Sequence, residues 1–260
     1  GCPGAVVLPG RCVPYGEANV WWPIAEAIRN TCGVDLDDST NDARRKVEAT
    51  VARVTSRDPN DSHVERISDG LLYLLGRFGE RADVDPARAR GEALWAVQAY
   101  LEALARERPL VLVLSDLQWG DEVVLELVDR LLAALRALPF MLLATARPDL
   151  EERWTPAPGR HNVAVLHLDP LDADATAALV EVHLKEHATP ELVAELRDRS
   201  GGNPLFIEEL AALIRDSDGA IGADGARAFD SGDLPVTLRG LVAARLDRRS
   251  SSPRPAWSGR

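Results

Sequence analysis

Two fully apolar runs, separated by an amphipathic segment, are the clearest pattern in the chain. The runs are LVLVL at residues 110–114 and FMLLA at Phe140–Ala144, and residues 122–136 between them repeat apolar side chains with a helical period. Strands that are apolar at every position are typical of a parallel sheet covered on both faces. The pattern therefore predicts a strand–helix–strand unit and an α/β fold.

The remaining pattern predicts more strands and a second, helical region. An apolar run at 5–8 predicts a buried strand leading into a loop at 10–17, and a run at 163–168 predicts another strand. Helices are predicted to begin near Pro23, Ser39, Asp61 and Pro86, and to occupy residues 172–187, 190–199 and 204–214. We therefore expect a sheet region followed by a helical one.

The predicted elements and changes in composition divide the chain into five segments. They are an α/β core at 1–169, a helical segment at 170–215, a linker rich in Gly, Asp and Ala at 216–233, an amphipathic segment at 234–247 and a Ser-, Pro- and Arg-rich tail at 248–260. The tail is predicted to be disordered.

Composition narrows the functional classes. The formal net charge is −11, which disfavours direct binding of nucleic acid. No apolar stretch is long enough to span a membrane, so we expect no membrane partner. The three cysteines have neither C-x-x-C spacing nor an even count, which favours a reducing, cytoplasmic location over a disulfide framework.

Two carboxylates follow the first apolar run. Asp116 comes at the predicted end of that strand, and Asp121 lies five residues further on. A carboxylate at the carboxyl end of a buried parallel strand suits Mg²⁺ binding and phosphoryl transfer. We therefore predict Asp116 as a metal ligand and Asp116 and Asp121 as catalytic residues. The alternative is that both are loop acids, with Asp121 capping the next helix.

Four segments, taken in order, resemble the STAND-type signal-transduction ATPases of the AAA+ superfamily. They are GRCVPYGE at 10–17 with WPIAEAI at 22–28, LVLVLSDLQWGD at 110–121, ATARP at 144–148 and SGGNPLFIEEL at 200–210. The first is most similar to ATPase modules linked to class III adenylate and guanylate cyclases. Similar modules occur in large LuxR-type transcriptional regulators.

The resemblance implies a fold, ligands and further site residues. The fold would be a P-loop NTPase-like parallel sheet with flanking helices, followed by a helical lid and the start of a winged-helix-like segment. ATP and Mg²⁺ would bind, with Arg147 sensing the γ-phosphate and Asn203 and Pro204 lying near the base. The alternatives are a surface cation at Arg147 and a helix cap at Asn203–Pro204.

The chain departs from the family pattern at two points. It has no G-x-x-x-x-G-K-[ST] loop, since Lys46 is followed by Val and Lys185, the other lysine, by Glu. The resemblance places that loop upstream of Ala5, so the chain is expected to start after it and to be inactive alone. Ser115 stands where an acid is usual, which would weaken Mg²⁺ binding.

These observations lead to two functional hypotheses. The first is an ATP-dependent switch within a larger protein, whose expected partners are an attached output domain and a second copy of itself. A cyclase is expected as output, with a LuxR-type DNA-binding module as the alternative. The second is a degenerate scaffold that only mediates protein contacts.

Overall fold

The computed structural model of the chain describes residues 4–14, 21–77, 85–156 and 161–217, which fall into two units that divide after Ala164. The predicted segment at 234–247, the tail at 248–260 and most of the linker at 216–233 lie outside the described residues.

The first unit contains a parallel sheet. Its described strands lie in the order β1 (Val6–Arg11), β2 (Leu110–Ser115) and β3 (Phe140–Ala144). The register places Arg11 opposite Ser115 and Leu114 opposite Ala144. Helix α5 (Glu122–Ala134) connects β2 to β3, which confirms the predicted strand–helix–strand order. The prediction that both strands are covered on both faces is wrong for β3, because Met141 and Leu143 are 56% and 47% exposed. Because the strands are parallel, their carboxyl ends meet at one edge of the sheet.

Among the described residues, four helices lie between β1 and β2 in the sequence. They are α1 (Trp22–Cys32), α2 (Thr40–Thr55), α3 (Ser62–Leu74) and α4 (Pro86–Glu107). The predicted helix start at Ser39 is confirmed, because its hydroxyl oxygen accepts a hydrogen bond from the Asp42 N–H at 3.1 Å. None of the helices in the described ranges has the length and apolar character needed to cross a membrane.

Strand β1 is longer than the sequence predicts. Gly10 and Arg11, which were expected in a loop, pair with β2. Pro9 and Gly10 are residue types that are common in turns. Proline is nevertheless tolerated in an edge strand, and β1 is at the edge of the described sheet. Glycine is needed at position 10 because a Cβ there would lie 2.1 Å from the Pro23 carbonyl oxygen. The start of α1 therefore packs directly on β1.

The predicted strand at 163–168 is wrong. These residues form neither helix nor strand, and Leu166 and Leu168 are 84% and 94% exposed. An apolar run becomes a strand only where a neighbouring strand accepts its hydrogen bonds, and within the described chain this run has none. The run also includes the point where the two units divide.

The second unit is helical in its described part. Helices α6 (Ala173–Leu184), α7 (Pro190–Ser200) and α8 (Pro204–Ser217) pack around a core that includes Val180, Leu196, Ile207 and Leu210. Gly202 has a φ of +76°, and its carbonyl oxygen accepts a hydrogen bond from the Leu171 N–H at 2.9 Å. A Cβ at Gly202 would lie 2.7 Å from the Leu171 oxygen, so this tight turn requires glycine.

Candidate functional site

Asp116 lies at the carboxyl edge of the sheet, directly after β2. Its φ of +59° is left-handed, a conformation that Asp tolerates better than most residues. Its carboxylate Oδ2 accepts a hydrogen bond from Nε of Arg11 at 3.0 Å, and its N–H donates to Oγ1 of Thr145 at 3.3 Å. Asp116 is therefore hydrogen-bonded to Arg11, the last residue of β1, and to Thr145, the residue that follows β3.

The loops after β2 and β3 are joined by further hydrogen bonds. The Leu117 N–H donates to the Thr145 carbonyl oxygen at 2.8 Å. The Arg147 N–H donates to Oε1 of Gln118 at 3.2 Å, and Nη2 of Arg153 donates to the carbonyl oxygen of Gln118 at 3.3 Å. The structure thus brings Asp116 and Arg147, two of the predicted site residues, onto one pair of connected loops.

The Arg147 side chain lies beside an exposed aromatic ring. Its guanidinium carbon is 5.8 Å from the ring centroid of Trp119, which is 43% exposed. This distance falls within the range of a cation–π interaction. A positive charge and an aromatic surface are therefore available to solvent at the same edge as Asp116.

Asp121 caps helix α5. Its Oδ1 accepts a hydrogen bond from the Val123 N–H at 3.0 Å, and the residue directly precedes the first helical position. The capping alternative is thus realised in the structure. Catalysis by Asp121 stays a prediction, and it would have to use a carboxylate that already stabilises a helix terminus.

Asn203 and Pro204 belong to the second unit. The Oδ1 of Asn203 accepts a hydrogen bond from the Phe206 N–H at 3.2 Å, and Pro204 is the first residue of α8. These residues form a helix start, as the alternative interpretation expects. Their contact with a nucleotide stays a prediction.

The donor set around Asp116 fits a magnesium ion held mainly by phosphate oxygens and water. Within the described residues there is no group of three or more His, Cys, Asp and Glu side chains that could hold a metal. Magnesium in phosphoryl-transfer sites commonly uses only one or two carboxylates together with the substrate's phosphates. Asp116, 38% exposed in its side chain, can supply one such carboxylate.

Cys12 packs beneath the Asp116 loop. It is 2% exposed, and a Cβ added to Gly120 would lie 3.6 Å from its Sγ. Burial, with a smaller contribution from the nearby Asp116 charge, raises the pKa of the thiol to about 11. Cys12 is therefore a neutral packing residue at physiological pH and not a nucleophile.

The side chain of Lys46 is paired with two aspartates. In α2, its Nζ lies 2.7 Å from Oδ2 of Asp38 and 3.3 Å from Oδ2 of Asp35. Lys185, the chain's other lysine, lies in the second unit and follows α6. Neither stands before Ser or Thr, so neither matches a phosphate-loop lysine.

Sequence reasoning missed Arg11, Gln118, Thr145 and Arg153 as members of the site. Arg11, Gln118 and Thr145 lie within motifs that the sequence analysis identifies, but none of them was given a role. Arg11 was missed because β1 was expected to end at residue 8. A usable signal was present: parallel strands end at the same edge, so the residues that end each strand should be considered together.

Comparison with known proteins agrees with this geometry. The family model of the AAA ATPase domain matches residues 2–143. An uncharacterized protein, R02095, of Rhizobium meliloti (strain 1021) is 30% identical over 213 residues, which are 78% of this chain and 19% of that protein. The chain thus spans about a fifth of that relative's length. No solved structure shows significant similarity. Since the family model covers more than half of the chain, the chain belongs to the AAA ATPase domain family.

Proposed function

We propose that this chain is an ATP-binding regulatory module of a larger signal-transduction protein. The observation that carries the proposal is the position of Asp116. In a chain of the AAA ATPase domain family, it follows a buried parallel strand and is hydrogen-bonded to the loop that carries Arg147. Ligands of open parallel sheets collect at this edge, where the carboxyl ends of the strands lie.

Each site residue has a proposed role toward Mg-ATP. Asp116 holds the metal and orients the attacking water, and Arg147 contacts the γ-phosphate. When bound, Mg²⁺ would neutralise charge that develops on the phosphate oxygens. Arg11 must release Asp116 for this role; the pair is exposed, so breaking it costs about 1 kcal/mol or less.

The remaining predicted residues have supporting roles in the proposal. Asp121 orients the loop through its cap on α5 and adds negative charge near the metal. Asn203 and Pro204 set the start of α8, from which the helical unit would approach the base. The helical unit would act as a lid whose position depends on the bound nucleotide.

The phosphate-binding lysine is proposed to come from a segment that this chain does not contain. Neither Lys46 nor Lys185 stands in a Gly-Lys-Ser or Gly-Lys-Thr sequence. Backbone N–H groups of a Gly-rich loop and one lysine would cradle the β- and γ-phosphates. The full-length protein is therefore the form in which activity is tested.

The test is ATP hydrolysis by the full-length protein with Asp116→Asn, which removes the charge but keeps the shape. We expect kcat to fall by about 100-fold or more, the size of a general-base contribution. Asp37→Asn, the same chemical change at an exposed position, is the matched control and should leave kcat unchanged. Equal kcat in the wild type and Asp116→Asn would refute the role of Asp116.

The proposed output is an adenylate or guanylate cyclase domain attached to this module. If so, Asp116→Asn should change the rate of cyclic-nucleotide formation by the full-length protein. A full-length protein that makes no cyclic nucleotide but binds DNA in a nucleotide-dependent way would favour the LuxR-type alternative. A protein that binds no nucleotide yet retains its partners would favour the scaffold, the alternative suggested by Ser115 and by the lack of a phosphate loop in this chain.

A further inference from the structure

Gln118 is a buried polar side chain in the loop after β2. It is 6% exposed and lies in a short 3₁₀ turn, Leu117–Trp119, between the carboxylates of Asp116 and Asp121. Nearly all buried polar groups have hydrogen-bond partners, because an unpaired one costs free energy. The partner of its Oε1 is the main-chain N–H of Arg147, at 3.2 Å.

This hydrogen bond fixes the main chain at the residue proposed to contact the γ-phosphate. Arg147 directly precedes the 3₁₀ turn Pro148–Glu152, and no side-chain cap bonds that turn from Arg147 itself. The Arg147 N–H would have to find another acceptor if the Gln118 amide were absent. The hydrogen bond from the Arg147 N–H to Gln118 therefore fixes the main-chain position from which the Arg147 side chain extends.

Gln118 is itself held by Arg153. One nitrogen of Arg153, Nη2, donates to the carbonyl oxygens of both Gln118 and Gly120, at 3.3 and 2.9 Å. Since Arg147 precedes the turn Pro148–Glu152 and Arg153 follows it, the two loops are hydrogen-bonded at both ends of that turn. The Asp116–Thr145 hydrogen bond ties them again at the strand ends.

We propose that Gln118 is a positioning residue of the ATPase site, which sets the distance between Asp116 and the guanidinium of Arg147. This inference rests on the proposed function, because it assigns Arg147 to the phosphate. Gln118 itself does not touch the nucleotide. Its effect comes from holding two loops, each with one proposed functional side chain, in a single arrangement.

The test compares two nearly isosteric variants of the full-length protein. Gln118→Leu cannot accept the Arg147 N–H, whereas Gln118→Glu keeps an acceptor oxygen at the same place. Gln98→Leu, at a half-buried position in α4, is the matched control for the loss of an amide. Hydrogen exchange at the Arg147 amide is measured without nucleotide, and kcat and KM for ATP are measured separately.

In Gln118→Leu, the amide hydrogen of Arg147 should exchange with solvent about tenfold faster than in the wild type, as expected for a lost hydrogen bond. It should lower kcat by about tenfold or more while KM changes much less, because misplacement affects the transition state more than binding. Gln118→Glu should restore both the protection of the amide and most of kcat. Gln98→Leu should change neither quantity.

Three results would overturn the inference. The first is unchanged exchange at Arg147 in Gln118→Leu, and the second is faster exchange with an unchanged kcat. The third is an equal loss of kcat in Gln118→Glu and Gln118→Leu. Failure of the proposed function is recognised separately, since then the wild-type protein itself would neither bind nor hydrolyse Mg-ATP.

Discussion

The packing of α3 against α4 can be tested with a single methyl group. Gly70 lies in α3, and a Cβ built on it would be 2.4 Å from the Cβ of Ala96 and 3.0 Å from the carbonyl oxygen of Glu92, both in α4. Carbon atoms in favourable contact are about 3.5 to 4.0 Å apart, so Gly70→Ala requires a shift of more than 1 Å. The two helices can approach this closely only because residue 70 is glycine.

Two opposing effects decide the outcome of Gly70→Ala. Alanine favours a helix over glycine by about 1 kcal/mol, whereas forcing a methyl group into a packed core costs about 1 to 3 kcal/mol. Because the clash involves another helix and cannot relax through a flexible side chain, we expect net destabilisation of about 1 to 2 kcal/mol. Gly91→Ala is the matched control: Gly91 is also helical, but nothing lies near its Cβ position. It should gain about 0.5 to 1 kcal/mol.

The assay is urea unfolding followed by tryptophan fluorescence, since five of the six tryptophans precede residue 164. The double variant Gly70→Ala with Ala96→Gly should recover part of the loss, with a coupling free energy of about 1 kcal/mol or more. If Gly70→Ala stabilises the chain as Gly91→Ala does, the described α3–α4 packing is refuted.

Three further predictions follow from other contacts. Arg11→Ala should change the free energy of unfolding by less than about 1 kcal/mol, because its pair with Asp116 is exposed, yet it should strengthen Mg-ATP binding to the full-length protein measured by calorimetry. Since burial raises the pKa of Cys12 to about 11, the folded thiol keeps its proton longer than the unfolded one, and the free energy of unfolding should fall as pH rises above about 8.5. Cys12→Ala should remove about 2 kcal/mol of that fall between pH 8 and 11 in urea titrations, and an unchanged slope would contradict the assignment. Gly202→Ala should destabilise the second unit by about 2 to 3 kcal/mol, against about 1 kcal/mol for Gly201→Ala, where the Cβ position is open, as measured by hydrogen exchange in α8.

The sequence predicts those helices and strands whose defining features, such as an apolar run or a helix cap, lie within a short stretch of the chain. Strands β2 and β3 were recognisable because each is a continuous apolar run, and α2 because Ser39 provides its cap. The run at 163–168 is also apolar except for His167, but it forms no strand, because strand formation needs a partner from elsewhere in the chain. A short apolar run alone does not show whether that partner exists.

The site was predictable where a residue ends a recognised strand, and not where it depends on distant contacts. Asp116 was found because it follows β2, whereas its partner Arg11 is 105 residues away in the sequence. Gln118 looks like an ordinary polar loop residue until its amide is seen to hold Arg147. Asp121 and Asn203 show a further limit, since the same residue types serve as helix caps and as site residues.

The magnesium dependence of ATP binding tests directly whether Asp116 holds the metal. Calorimetric titrations of the full-length protein with ATP, with and without Mg²⁺, compare the wild type with Asp116→Asn and Asp37→Asn. If Asp116 holds the metal, Mg²⁺ should strengthen ATP binding in the wild type and in Asp37→Asn, and most of that gain should be absent in Asp116→Asn. An equal gain from Mg²⁺ in Asp116→Asn would show that Asp116 does not hold the metal.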